Sequence, residues 1–227
     1  MAKKKWGGYR PGSGRRPKSG VSGVSHHTRP ELSGRHPVQV VLDTKPELGN
    51  LRKKRIHEIV RMGLVEGCDT GGFRICHYSV QKFGLRMIVE ARNREMLSRG
   101  MQGINVRLAK GLNRLWSRNG SVFTDRYAID ILSNGRKVRD SLCFVLNGAL
   151  SDSREASRLQ GKVDPYSSGV YFDGWDNPEF KQLDSPAGNR PVARPRTALL
   201  RQGWKKYGLI GMDEVPSAAT ARADKAK

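Results

Sequence analysis

Between Leu97 and Leu115 the apolar residues Leu97, Met101, Ile104, Leu108, Leu112 and Leu115 recur at steps of four, three, four, four and three. Side chains so spaced form one stripe along a helix, and a long apolar stripe has to be buried against a second layer. The preceding residues offer that layer. Phe73–Val80 and Leu85–Ala91 are two runs of strand formers joined by Lys82-Phe83-Gly84, which reads as an antiparallel hairpin. Upstream, Val38–Leu42 is a short apolar strand. The stretch from Pro46 to about Glu66 reads as a helix, with Leu51, Ile59 and Leu64 among its apolar positions and Arg52-Lys53-Lys54-Arg55 on its outer surface; Gly67 and Gly71-Gly72 end it. The long helix runs from about Arg94 to Arg118 and is stopped by Gly120. Val122–Leu132 then reads as a strand, Asn134-Gly135 as a turn, and Lys137–Leu150 as a last helix with Val138, Leu142, Val145 and Ala149 inward. The order β-α-β-β-α-β-α predicts an α+β fold: a ferredoxin-like split βαβ antiparallel sheet, helices on one face, with an added C-terminal helix.

Two flanks surround this unit at 36–150. Residues 1–35 read as a flexible basic arm: Lys3, Lys4, Lys5, Arg10, Arg15, Arg16, Lys18, Arg29 and Arg35 stand among Gly, Ser and Pro, and Glu31 is the only acid. Such a segment has too little apolar surface to offset its ordering entropy. Gly14-Arg15-Arg16-Pro17-Lys18 partly resembles the Arg-Gly-Arg-Pro core with which AT-hook arms enter an A·T minor groove, but lacks the Gly between the arginines. It is either such an insert or a counterion-releasing tail. Residues 151–227 read as a loop-rich extension with aromatic anchors, in which Ala198–Ile210 forms a short helix packing back through Leu199, Leu200 and Trp204; the tail is expected to be disordered.

Charge narrows the partner. Forty-two Lys and Arg against 21 Asp and Glu give a formal net charge of +21, an imbalance that points to a polyanion. DNA is the first expectation and RNA the second. A membrane is the weakest expectation, because no apolar run approaches the roughly 18 residues of a spanning helix, and the N-terminus has no apolar signal core. Cys68, Cys76 and Cys143 form an odd set with no CxxC, which predicts free thiols in a reducing cytoplasm, here on a bacterial nucleoid. On the long helix, Arg107, Lys110, Arg114 and Arg118 fall on a face of their own. They are read as phosphate contacts continuous with Arg10, Arg15, Arg16 and Lys18 of the arm, against the usual reading of a solvated face.

Several stretches, in order, resemble the HUH-type single-tyrosine transposases, in particular the REP-associated tyrosine transposase branch. They are Arg35-His36-Pro37-Val38, Phe73–Gln81, Met87–Ala91, Leu97–Gly103, Val122–Tyr127 and Asp164-Pro165-Tyr166-Ser167-Ser168, followed by Pro195-Arg196-Thr197 and Gly203-Trp204. The resemblance implies single-strand DNA cleavage and joining. In that family two histidines at i and i+2 on a strand, with a polar ligand from a helix, hold a divalent metal such as Mg or Mn that polarises a phosphodiester. A tyrosine one helical turn before that ligand attacks the phosphorus. Carried over, the histidine positions fall on Gly84 and Arg86, the tyrosine on Phe144 and the helical ligand on Gly148. Phenylalanine has no nucleophilic oxygen, glycine no ligating side chain, and arginine stays protonated. The resemblance therefore implies a DNA-binding relative, for single-stranded or hairpin DNA, without cofactor or catalysis.

Other readings stand beside it. Arg86 is either a phosphate clamp in place of the metal or an ordinary arginine on an exposed sheet face. His77 and Tyr127 are either a relocated base and nucleophile of an active nicking enzyme or plain sheet residues, His77 sharing a strand face with Phe73 and Ile75. A basic RNA-binding or scaffold protein on the same fold is the third class.

Overall fold

A computed structural model describes residues 30–180, 182–183 and 189–217. The chain is an α+β fold built on a five-stranded antiparallel sheet. Val38–Asp43 (β1), Phe73–Gln81 (β3) and Gly84–Ala91 (β4) are its long strands; Asp69–Thr70 (β2) and Ala128–Ile131 (β5) are short. The order β2-β3-β4-β1-β5 puts β4 between β1 and β3, which is the split βαβ arrangement expected from the hairpin and two crossovers.

Alternation along β4 assigns its two faces. Leu85, Met87 and Val89 point into a core that also holds Val40, Tyr78 and Val80. The helices Lys54–Val65 (α1) and Arg94–Leu115 (α2) close this core with Ile56, Val60 and Leu64, and with Leu97, Met101, Ile104, Leu108 and Leu112. Full burial of an aliphatic side chain is worth about 1.5–3 kcal/mol, so the apolar stripe is the main reason α2 is held. Asn93 caps α2 by accepting from the Met96 amide at 2.9 Å. Gly100 lets the helix lie on the sheet, since a Cβ there would enter the Phe73 ring.

The opposite sheet face is covered as well. Gly135–Leu146 (α3) packs Val138, Leu142 and Val145 against Val41, Cys76 and Ile88, and the C-terminal extension completes this second core with Phe172, Trp175, Leu200, Trp204 and Ile210. Helices therefore lie on both faces, whereas the first six elements alone predict one. The extension also reaches the first core through Tyr166, Tyr171 and Val192. A short helix, Ser153–Leu159 (α4), opens it.

Other boundaries differ from expectation for local reasons. The 46–66 helix is split: a 3-10 turn at Pro46–Leu48 ends at Gly49 with φ 77°, and α1 starts at Lys54. Arg52 leaves the outer surface, its side chain only 6% exposed. The strand expected over 122–132 shrinks to Ala128–Ile131. Val122 and Thr124 still bond the backbone of Lys45 and Asp43, but the Asp125 side chain accepts from the Arg126 amide and bends the chain away. Asn134-Gly135 is a helix start instead of a turn, because the Asn134 side chain accepts from the Lys137 amide. The last helix stops at Leu146 and continues as a 3-10 turn over Gly148–Ser151. The helix expected over 198–210 is a π-helical turn, Leu199–Gly203, and a 3-10 turn, Lys205–Tyr207; Leu200 and Trp204 are buried as expected.

Residues 30–35, expected within the arm, belong to the described structure. Leu32 is buried in the first core, Glu31 pairs with Arg94 at 3.2 Å, and the His36 amide donates to the Ser33 carbonyl. Arg10, Arg15, Arg16, Lys18 and the AT-hook-like piece lie outside the described residues, as do the last ten residues. Among the described residues no helix is long and apolar enough to cross a membrane.

Candidate nucleic-acid interface

Gly84, Arg86, Phe144 and Gly148 do converge, at one end of the sheet on its α3 face. Arg86 projects from β4 and lies over the Phe144 ring of α3, Cζ to ring centroid 4.7 Å, a cation–π stack. Across the ladder Arg86 faces Ser79, and Gly84 faces Gln81. Gln81 donates to Ser79 Oγ at 2.8 Å, and a Cβ on Gly148 would stand 3.2 Å from Gln81 Nε2. Gln81 thus joins the strand positions to the helical one. Arg86 is half-buried under α3, which corrects the reading of an arginine on an exposed sheet face; that reading took the sheet to be covered on one side only.

Gly84 is held to glycine by its neighbours. A Cβ there would come 2.5 Å from the Leu42 carbonyl oxygen and 3.1 Å from Asp43 Cα, both on β1. Any side chain at this position, a ligating one included, requires β1 and β4 to move apart. Among the described residues no group of three or more His, Cys, Asp and Glu is gathered closely enough to hold a metal ion.

Arg107, Lys110, Arg114 and Arg118 lie on the other side of the molecule. They run along α2, whose apolar stripe packs on the face opposite α3. Arg107 reaches Glu66 at 3.5 Å, so an acid does interrupt the stripe, and Arg118 donates to the Ser121 carbonyl. Lys110 and Arg114 are exposed. Arg86 and the α2 stripe are therefore separated by the thickness of the sheet.

His77 and Tyr127 are not brought together either. A bulge between Ile75 and His77 breaks the alternation of β3, so Ile75 points to the first core while Cys76 belongs to the second and His77 sits edge-on to Phe172 at 5.4 Å. His77 therefore does not share a face with Phe73 and Ile75; the extra residue turns it over. Tyr127 is buried in the first core. Cys76 and Cys143 are free and buried, and desolvation raises both thiols, Cys143 to about 12. Cys68 is free and half-buried.

Burial lowers the His77 imidazole from 6.5 to about 4. Well above pH 6.5 the group is neutral in folded and unfolded chains and contributes no pH dependence. As pH falls from 6.5 towards 4 the unfolded chain takes up a proton that the folded chain does not, so stability falls by up to about 3 kcal/mol. Urea midpoints at pH 7 and pH 4.5 should drop further for the parent than for His77→Phe; equal drops refute this.

The extension motifs that carry the resemblance bond back onto the sheet. The Glu90 carboxylate accepts from the amides of Arg196 and Thr197 and from Thr197 Oγ1, at 2.7–3.1 Å. Ser168 Oγ accepts from the Tyr78 amide and the Tyr166 carbonyl from the Val80 amide, so the 164–168 segment seals the outer edge of β3. Arg52 had no signal beyond its place in a basic block; it binds Asp164 with both terminal nitrogens, at 2.9 and 3.0 Å, and Glu155 at 3.0 Å.

No protein-family model matches this chain, and no curated protein matches it. Among solved structures, one of a REP-associated tyrosine transposase bound to a REP hairpin aligns with a TM-score of 0.49 and 13% identity, covering 75% of this chain and 100% of that one.

Proposed function

We propose that this protein binds DNA, as a hairpin or a single strand, through a basic surface, and holds it without cutting it. The observation that carries the reading is the net charge of +21, which calls for a polyanionic partner. The resemblance of the sequence motifs to HUH-type transposases selects DNA. The residues at the four carried-over positions argue against cleavage: Gly84 and Gly148 offer no side chain, Phe144 no nucleophile, and Arg86 a cation that cannot ligate metal. On this reading Arg86 contacts a phosphate at the β4–α3 end, while Lys110, Arg114 and the arm act as a long-range electrostatic surface elsewhere.

A labelled hairpin with a single-stranded flank tests both halves. Incubation with or without magnesium or manganese should leave no covalent adduct on a denaturing gel; a labelled adduct overturns the non-cleaving reading. Arg86→Ala should weaken hairpin binding by about 1–3 kcal/mol, roughly 5- to 150-fold. Arg86→Lys should recover part of this, because it restores charge but not the planar fork. Thermal midpoints taken in parallel separate lost binding from the lost stack on Phe144. Arg86→Ala binding like the parent refutes the phosphate contact, and preferential displacement of the hairpin by RNA refutes the choice of DNA.

A further inference from the structure

A cavity of about 530 Å³ opens where the bulge of β3 meets the extension, on the α3 side of the sheet and apart from the Arg86 site. That volume is in the range of small-molecule sites. Among the described residues its lining carries the cations Arg190, Arg194, Arg201 and Lys205 together with His77, against the one carboxylate of Asp173. Asp173 is engaged by Lys205 at 3.3 Å, which leaves three guanidinium groups in excess.

Two atoms at the inner wall lack partners. His77 is 6% exposed and its Nδ1 has no hydrogen-bond partner; Arg190 Nε is likewise buried without one. Folds seldom leave such atoms unsatisfied, and when they do the site calls for an explanation. Here the bulge has turned His77 out of the alternating pattern of β3 and placed it in this wall. Arg190 is held in place by a bond from Nη2 to the Tyr171 carbonyl at 3.1 Å and by its stack on the Tyr171 ring at 5.0 Å. A group rich in acceptor oxygens and bearing negative charge matches both unpartnered nitrogens and the cationic rim.

We propose that this cavity is a binding site for the phosphate of a nucleotide, with His77 and Arg190 at its inner end and Arg194 and Arg201 at its mouth. A lone phosphate would fill only part of the volume, and the exposed guanidinium planes of Arg194 and Arg201 suit a stacked base. The ligand is a free mononucleotide or the phosphorylated end of a strand; the chemistry at the wall is the same for both. The site stands independently of whether the protein holds a hairpin.

Isothermal titration of the full chain at physiological salt, with a 5′-mononucleotide, the matching unphosphorylated nucleoside and a 5′-phosphorylated trinucleotide, tests the assignment. The mononucleotide should bind and the nucleoside should bind at least about tenfold more weakly, as loss of charge-assisted hydrogen bonds requires. Arg194→Ala/Arg201→Ala alters two exposed side chains and should weaken phosphorylated ligands about tenfold or more. Arg154→Ala/Lys162→Ala removes the same charge from exposed positions elsewhere and should change nothing. Ring resonances of His77 should shift on titration. Equal affinities of the two phosphorylated ligands identify a free nucleotide, and tighter binding of the trinucleotide a strand end. Absence of binding, indifference to the phosphate, or equal losses in the two double variants overturns the proposal.

Discussion

Arg52→Ala should destabilise the protein by about 3–5 kcal/mol, the usual cost of removing one partner of a buried ion pair. The Arg52 side chain is 6% exposed and Asp164 3%. Besides its two bonds to Asp164 and one to Glu155, it donates to the Val80 carbonyl at 2.9 Å and lies over the Tyr166 ring at 4.7 Å. Burial disfavours its charge, but the bonds and attraction of Asp164 and Glu155 outweigh this and raise its pKa. Truncation leaves a buried Asp164 carboxylate with no countercharge and unties the 155–166 segment from β3. For a chain of this size the loss corresponds to a fall in Tm of roughly 6–20 °C. Arg52→Lys should recover little, because a single ammonium cannot reproduce the two-pronged contact. Urea denaturation of Arg52→Ala, Asp164→Ala and the double variant measures the coupling. A loss below about 1 kcal/mol for Arg52→Ala would put the pair among exposed salt bridges and refute the lock.

Affinity for a DNA hairpin should fall by roughly 10³–10⁵ between 50 and 200 mM salt if 6–10 phosphates are contacted. On the proposed reading the basic residues of the N-terminal arm account for part of that. Removing residues 1–28 deletes seven basic residues, Lys3 to Lys18, yet spares Leu32. This truncation should reduce the slope of log K against log salt by up to about 6, with no change in sequence preference. Removing residues 1–35 instead also takes Leu32 out of the core and Glu31 from Arg94, so its effects on binding and folding are mixed. Fluorescence anisotropy across a salt series is sufficient. An affinity independent of salt would falsify the basic-surface reading.

Elements whose period repeats over many residues can be read along the chain alone. The stripe from Leu97 to Leu112, the hairpin of β3 and β4 and the inward set Val138, Leu142 and Val145 were all legible, because each depends on periodicity along one segment. Spacing along the strand put Gly84 and Arg86 on one face, but their meeting with Phe144 and Gly148 was implied only by the resemblance, and Gly148 lies in the 3-10 turn beyond α3. Contacts between distant segments set what no local period encodes. One inserted residue at Cys76 turned His77 to the other face and set it beside Arg190, more than a hundred positions away. Arg52, in a run of four basic residues, was drawn inside because Asp164 is buried opposite it, while Lys53 and Lys54 stayed exposed. The second face of the sheet was closed by Phe172, Trp175, Leu200 and Trp204, residues spread through a loop-rich stretch with no period of its own. Burial and charge pairing between distant segments are properties of the packed chain, and a reading along the chain registers them only as isolated aromatic and charged residues.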